Sequence, residues 1–223
     1  MRQLISKKLF LYFFLFIFLV TINNKNLSEL NFYRINDIKV FGLNEKENLK
    51  ISNNLKFLQK NNIFFINKKK ISDLMNSNNL IERYSITKKY PSTIELRVTE
   101  TNYLASVNKG GKKFFFGSNG KLIDAKYNNK EIPIIYGNFK NSEFLELKKI
   151  LDFFKFDFGN INNFFYFPSG RWDIEMKSGI LIKLPRERLK ESIELSLGIL
   201  KSEKSDNLKI LDLRQKNLII INE

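Results

Sequence analysis

Histidine and cysteine are both absent from this 223-residue sequence. Without His there is no imidazole general base, no Ser-His-Asp triad and no ordinary His-built zinc site. Without Cys there is no disulfide, no thiol nucleophile and no thiolate metal ligand. Any catalysis would fall to carboxylate, Lys, Tyr or Ser chemistry, and neither a metal nor a cofactor is expected. Glycine (10) and proline (4) are scarce as well, while Lys, Asn, Ile and Phe are plentiful. A genome rich in A and T supplies those four together. Apolar residues make up 43% of the chain, enough for a packed core. Lys+Arg minus Asp+Glu is 38 − 23 = +15. Such an excess suits a nucleic acid or an anionic membrane, but the lysines are scattered, with Lys68-Lys69-Lys70 the densest run. A solvated basic surface is the simpler reading, and neither a nucleic acid nor a small-molecule substrate is expected.

One long apolar run stands at the N-terminus. Leu9–Ile22 carries no charge; as a helix it rises ~21 Å, and ~28 Å if it starts at Leu4, against a hydrocarbon core of ~30 Å. Lys7 and Lys8 would then extend their ammonium groups to the interface. Arg2, Lys7 and Lys8 precede the run, so the positive-inside rule keeps the N-terminus cytoplasmic and puts the remainder outside. The exit, Thr21-Ile22-Asn23-Asn24, is too bulky and polar for signal-peptide cleavage. The expected order is a cytoplasmic end at 1–8, a transmembrane helix at 9–22 or from residue 4, and a polar juxtamembrane linker at 23–32.

Beyond the linker, Ile38 and Val40 alternate with charge and Gly42 marks a turn. Helical spacing follows over Glu45–Phe57 and Lys69–Asn79. Ile81–Lys89 and Thr93–Thr99 read as strands, the second with Ile94, Leu96 and Val98 inward and Glu95 and Arg97 outward. Residues 33–100 thus have the order β-α-α-β-β. After Thr101 the pattern is strand-rich, split by Gly110-Gly111 and Asn119-Gly120, which read as turns because no helix start follows them. Two helices interrupt it: Ser142–Phe154, with Ser142 as N-cap and Glu143 in the first turn, and one opened by Pro185 and running to about Lys201. Trp172, Ile174 and Met176 share a strand face, which places Trp172 in the core; Arg171, Asp173 and Glu175 share the other. The class is α+β: an N-terminal transmembrane helix, the β-α-α-β-β unit, and a mixed β-rich domain with two helices over 101–223.

This layout resembles the FtsQ/DivIB family of bacterial cell-division proteins. Three local matches carry the resemblance. Ile38-Lys39-Val40-Phe41-Gly42 resembles the family's opening strand. Lys89-Tyr90-Pro91-Ser92-Thr93-Ile94-Glu95-Leu96-Arg97-Val98-Thr99-Glu100 resembles its strand pair ending in Val-x-Glu. Gly170-Arg171-Trp172-Asp173, Lys183-Leu184-Pro185 and Leu211-Asp212-Leu213-Arg214 resemble its C-terminal domain, most like Gram-negative members. The resemblance implies a POTRA domain at 33–100 and a β-domain at 101–223 of a single-pass inner-membrane protein. It also implies a non-enzymatic divisome scaffold, outside the inner membrane and enriched at the septum, that binds FtsB and FtsL and helps coordinate septal cell-wall synthesis. Gln215 stands where some members have an aromatic residue after Asp-x-Arg.

Leu218-Ile219-Ile220-Ile221 is apolar on both strand faces, which calls for burial on both. It is either an interior strand or an edge that another polypeptide completes by strand addition. The family resemblance favours the edge. Arg214 would offer a bidentate fork to a partner carboxylate, and Arg171, facing away from Trp172, is a further partner-binding candidate. Asp173 and Glu175 look superficially like a glycosidase pair, but such pairs flank a cleft from separate elements. Glu100 is expected either as a paired, partly buried carboxylate at the domain junction or on a frayed strand end. Two rival function classes remain: a cell-wall hydrolase, for which no carboxylate cleft is visible, and a POTRA-bearing envelope transport or assembly component, which needs repeated POTRA units or a β-barrel.

Overall fold

The computed structural model describes residues 7–22, 33–124, 131–202, 208–216 and 218–222. Helix α1, Lys7–Ile22, is 16 residues long, apolar all round and exposed from Leu9 to Val20. It rises about 24 Å, and no helix among the described residues is long and apolar enough to cross a membrane. The expected transmembrane helix is therefore present as a helix but short of a span. Its helical part starts at Lys7, and residues 4–6, which would have lengthened it, lie outside the described residues, as does the linker at 23–32.

The chain divides into two compact units, Met1–Ser77 with Arg83–Thr99, and Asn78–Glu82 with Glu100–Glu223. The first contains β1 (Asp37–Phe41), α2 (Glu45–Asn54), a 3-10 turn at Lys56–Leu58, α3 (Lys68–Ser77), and most of β2 (Ile81–Lys89) and β3 (Thr93–Glu100). The sheet order is β1-β3-β2, with β1 parallel to β3 and Ile38 opposite Ile94. A parallel pair needs a crossover, and α2 and α3 lie on it. Asn44 caps α2 by accepting from the Glu47 amide, and Glu45 and Glu47 suit the positive helix end. Ile38, Ile51, Leu55, Ile71, Met75, Ile94 and Leu96 are buried. Gly42 has φ +116°, and a Cβ there would stand 1.7 Å from the Val98 carbonyl oxygen. Only glycine fits, which is the physical content of the motif ending at Gly42.

Glu95 departs from its expected outward position. It is 4% exposed on the central strand. Lys89 and Arg97 close over it, with Arg97 Nε 2.9 Å from Oε1. Their hydrogen bonds, Lys89 first, hold its carboxyl below the usual range. Strand alternation alone did not predict this burial.

The second unit is built on a nine-stranded sheet. Its strands are β4 (Tyr103–Lys109), β5 (Lys112–Gly117), β6 (Leu122–Asp124), β7 (Ile134–Tyr136), β8 (Ile161–Tyr166), β9 (Trp172–Met176), β10 (Leu181–Lys183), β11 (Ile210–Asp212) and β12 (Ile220–Asn222). Their spatial order is β12-β11-β10-β9-β8-β7-β4-β5-β6. Helices α4 (Asn141–Phe153) and α5 (Leu189–Leu200) connect the parallel pairs β7–β8 and β10–β11. Both connections step the same way along the sheet from strands of the same sense, so right-handed crossovers put both helices on one face. A single core there joins Phe116, Phe144, Leu147, Phe164, Trp172, Ile174, Ile182, Ile193 and Leu211.

Both helix starts differ from expectation. The α4 cap position is Lys140, not Ser142; its amide donates to Glu143 Oε2 at 2.8 Å, which lowers the Glu143 carboxyl. Helix α5 begins at Leu189 because Arg188, at φ 60°, is left-handed and breaks any helical run from Pro185. Glu100 is exposed and accepts from the Tyr103 hydroxyl at 3.1 Å.

Candidate partner-binding edge

The last strand pairs on one side only. Among the described residues β12 is hydrogen-bonded to β11 and to no other strand. The expected strand over Leu218–Ile221 is found two residues later at its start, as Ile220–Asn222, with Ile221 opposite Leu211 and Ile220 opposite Asp212. Leu218, Ile219, Ile220 and Ile221 are between 40% and 49% exposed. Four half-exposed apolar residues beside an open row of backbone groups are a template for another strand. Leu218 and Ile219 also line a shallow cleft with Leu195 and Arg188 on the α5 side and with Leu213 and Gln215.

Behind this edge runs a row of charge on the helix-free face. Strand register places Ile220 beside Asp212, Asp212 beside Lys183, Lys183 beside Asp173, and Asp173 beside Phe165. Asp212 and Asp173 are buried, at 7% and 3% exposed. Arg214 is not a free fork: its Nε lies 2.8 and 3.0 Å from the two Asp212 carboxylate oxygens, and its Nη2 lies 2.5 Å from Oδ2. Arg171 stacks on the Phe167 ring at 3.9 Å, with its Nε 3.5 Å from Asp173 Oδ1. Among the described residues neither that nitrogen nor that oxygen has a hydrogen-bond partner. Sequence reading put Asp173 on the strand face away from Trp172, and named Lys183 and Asp212 as members of the C-terminal motifs without assigning either a role. The only available signal was charge at alternate strand positions, and the strands that bring those charges together are distant in sequence.

The two carboxyls respond oppositely. Hydrogen bonds from Arg214 hold Asp212 below the usual range, whereas burial pushes Asp173 above it. A lowered folded value means the ionised Asp212 stabilises the fold. That contribution is present above the unfolded value, ~3.9, and is lost as pH falls through the folded one. Asp212→Asn is therefore expected to reduce stability at neutral pH and to flatten the acid limb of the stability curve below about pH 4. Urea melts over a pH series check this, and an unchanged acid limb would remove the Arg214 pairing from the account.

The chain matches the POTRA domain of FtsQ type over residues 33–101 and the FtsQ/DivIB cell-division C-terminal region over residues 105–214. The chain belongs to the FtsQ/DivIB family. DivIB of Clostridium botulinum strain Loch Maree is 36% identical over 150 residues, covering 66% of this chain and 55% of that protein. DivIB of Clostridium acetobutylicum is 32% identical over 107 residues, 48% of this chain and 43% of that protein. FtsQ of Rickettsia bellii is 26% identical over 160 residues, 70% of this chain and 59% of that protein. The chain thus spans little more than half the length of these relatives at most. The major extracytoplasmic domain of DivIB from Geobacillus stearothermophilus aligns at TM-score 0.35 and 15% identity, over 48% of this chain and 98% of that one. At that score the likeness adds nothing to the fold described above. The matched C-terminal region ends at Arg214, so β12 lies beyond it. A cell-division POTRA joined to a cell-division C-terminal region leaves the transport reading without support.

Proposed function

We propose that this FtsQ/DivIB chain is a non-enzymatic scaffold of the division machinery. It is held at the inner membrane by the N-terminal helix, with both units outside the membrane. It binds FtsB- and FtsL-like partners, the FtsB-like one along the β12 edge, and helps coordinate septal cell-wall synthesis. The observation that carries the reading is the half-exposed apolar stretch leading into β12, a strand that among the described residues has β11 on one side and no strand on the other. A partner strand laid there would pair with the open backbone groups and set its side chains against Ile220 and Ile221. A partner carboxylate would share Arg214 with Asp212 rather than find it unengaged, and Arg171, on its Phe167 platform, flanks the Asp173 end of the same row. Anchoring is supported by α1, whose apolar side chains are exposed from Leu9 to Val20, and by the basic residues at its start.

A fluorescent fusion of the full chain tests the reading in cells, together with co-purification in detergent. Concentration at the division site and recovery of FtsB- and FtsL-like proteins are expected. An even distribution over the envelope throughout division, with neither partner recovered, would contradict it.

A further inference from the structure

The first unit carries an exposed aromatic and basic patch that the β12 reading does not use. Phe65 is 79% exposed, Tyr90 58% and Phe64 49%. Phe64 stacks on Tyr90 at 5.2 Å between ring centroids and meets Tyr33 edge-on at 5.1 Å. Three rings therefore form one block, with Phe65 standing beside it in sequence. Lysines frame it. Lys88 Nζ donates to the Phe64 carbonyl at 3.2 Å, and Lys68, Lys69 and Lys70 follow at the start of α3, all exposed. The segment 56–70 contains five lysines and no Asp or Glu. An apolar patch of this kind on a small domain marks an interaction surface.

Its place in the chain identifies the occupant. Ile63 donates to the Tyr33 carbonyl at 2.9 Å, Ile35 donates to the Asn61 carbonyl at 3.0 Å, and Arg34 bridges to Asn62. The patch is thus built directly onto the residues where the chain enters the unit from α1. Only ten residues, 23–32, separate α1 from Tyr33. A chain of that length reaches at most about 35 Å. Aromatic rings with lysines around them suit the headgroup layer of a bilayer, the rings entering and the ammonium groups meeting anionic lipid.

We propose that Phe64, Phe65 and Tyr90, with Lys68, Lys69 and Lys70, form a peripheral docking surface for an anionic lipid bilayer, holding the first unit against the membrane that anchors the chain. This rests on the anchored reading above. Each lysine near such a surface contributes roughly fivefold in affinity, so the contact is salt-sensitive, while the rings persist in salt.

The chain has no cysteine, so a single Gln59→Cys, at an exposed position outside the docking set, gives a unique site for a fluorophore on the full-length protein. The labelled chain is incorporated into nanodiscs carrying a headgroup-proximal spin-labelled quencher lipid, with or without phosphatidylglycerol. Quenching at least about twofold greater in the anionic discs is expected. It should be reduced at about 0.5 M salt, where screening falls to a few ångströms, and lost in Phe64→Ser/Phe65→Ser. Equal quenching in the two lipids, or none, in discs that contain the protein would overturn the docking surface while leaving the anchor intact. A chain that does not co-elute with the discs would overturn the anchored reading and this surface with it.

Discussion

Ile220→Lys is expected to abolish capture of the partner by the full-length chain while leaving its circular dichroism spectrum unchanged. Ile220 is 45% exposed and stands opposite Asp212 on the edge strand. The fold therefore loses little when it is replaced; a surface substitution of this kind changes stability by about 0.5 kcal/mol. A lysine opposite Asp212 even places opposite charges across the strand pair. An incoming strand fares differently. It would meet a charge in place of the apolar side chain, and lysine on an edge strand is a common protection against strand addition. A residue central to such a contact contributes ~2 kcal/mol or more, about thirtyfold in affinity. Unfolding of the variant, rather than loss of binding, would mean that β12 belongs to the core.

Phe144→Ala is expected to have the largest effect on stability. Phe144 is fully buried on α4, with ring centroids 5.0 Å from Phe116, 5.3 Å from Phe164 and 5.9 Å from Trp172. It joins the α4 layer to both halves of the nine-stranded sheet. Truncating a buried phenylalanine costs about 3–5 kcal/mol, a large part of the ~5–15 kcal/mol that holds an ordinary domain together. A fall in melting temperature of roughly 10 °C or more follows. Trp172 is the only tryptophan, so its fluorescence follows this core specifically. A change of less than about 1 kcal/mol would show that the aromatic cluster repacks around the cavity.

The two predictions rest on parts of the protein that were unequally legible. Trp172, Ile174 and Met176 announced a buried face because strand alternation is local, and that face does meet the helices. Ile81–Lys89 was readable to the residue for the same reason. Burial of Asp173 and Glu95 was not. Asp173 is enclosed by strands that include residues near 165, 183 and 212, and Glu95 is covered by Lys89 and Arg97, so in both cases the neighbours decide rather than the pattern. The helix starts failed for a related reason. Ser142 has the chemistry of a cap, but the backbone turns two residues earlier than a serine cap would require, and the left-handed Arg188 has no signature in its residue type. The apolar run Leu218–Ile221 was visible at once, whereas its edge position depends on the order of nine strands. Arg214 shows both limits together. Its type suggested a carboxylate partner, and the carboxylate it holds lies two residues away in its own chain.

Hydrogen–deuterium exchange on the full-length chain, alone and with a purified FtsB-like partner, tests the β12 edge most directly. Slowed exchange at Leu218–Asn222 and at the adjoining β11, with the rest of the sheet unchanged, is the predicted result. Binding that leaves the Leu218–Asn222 amides exchanging as fast as in the free chain would contradict the claim that a partner completes this sheet.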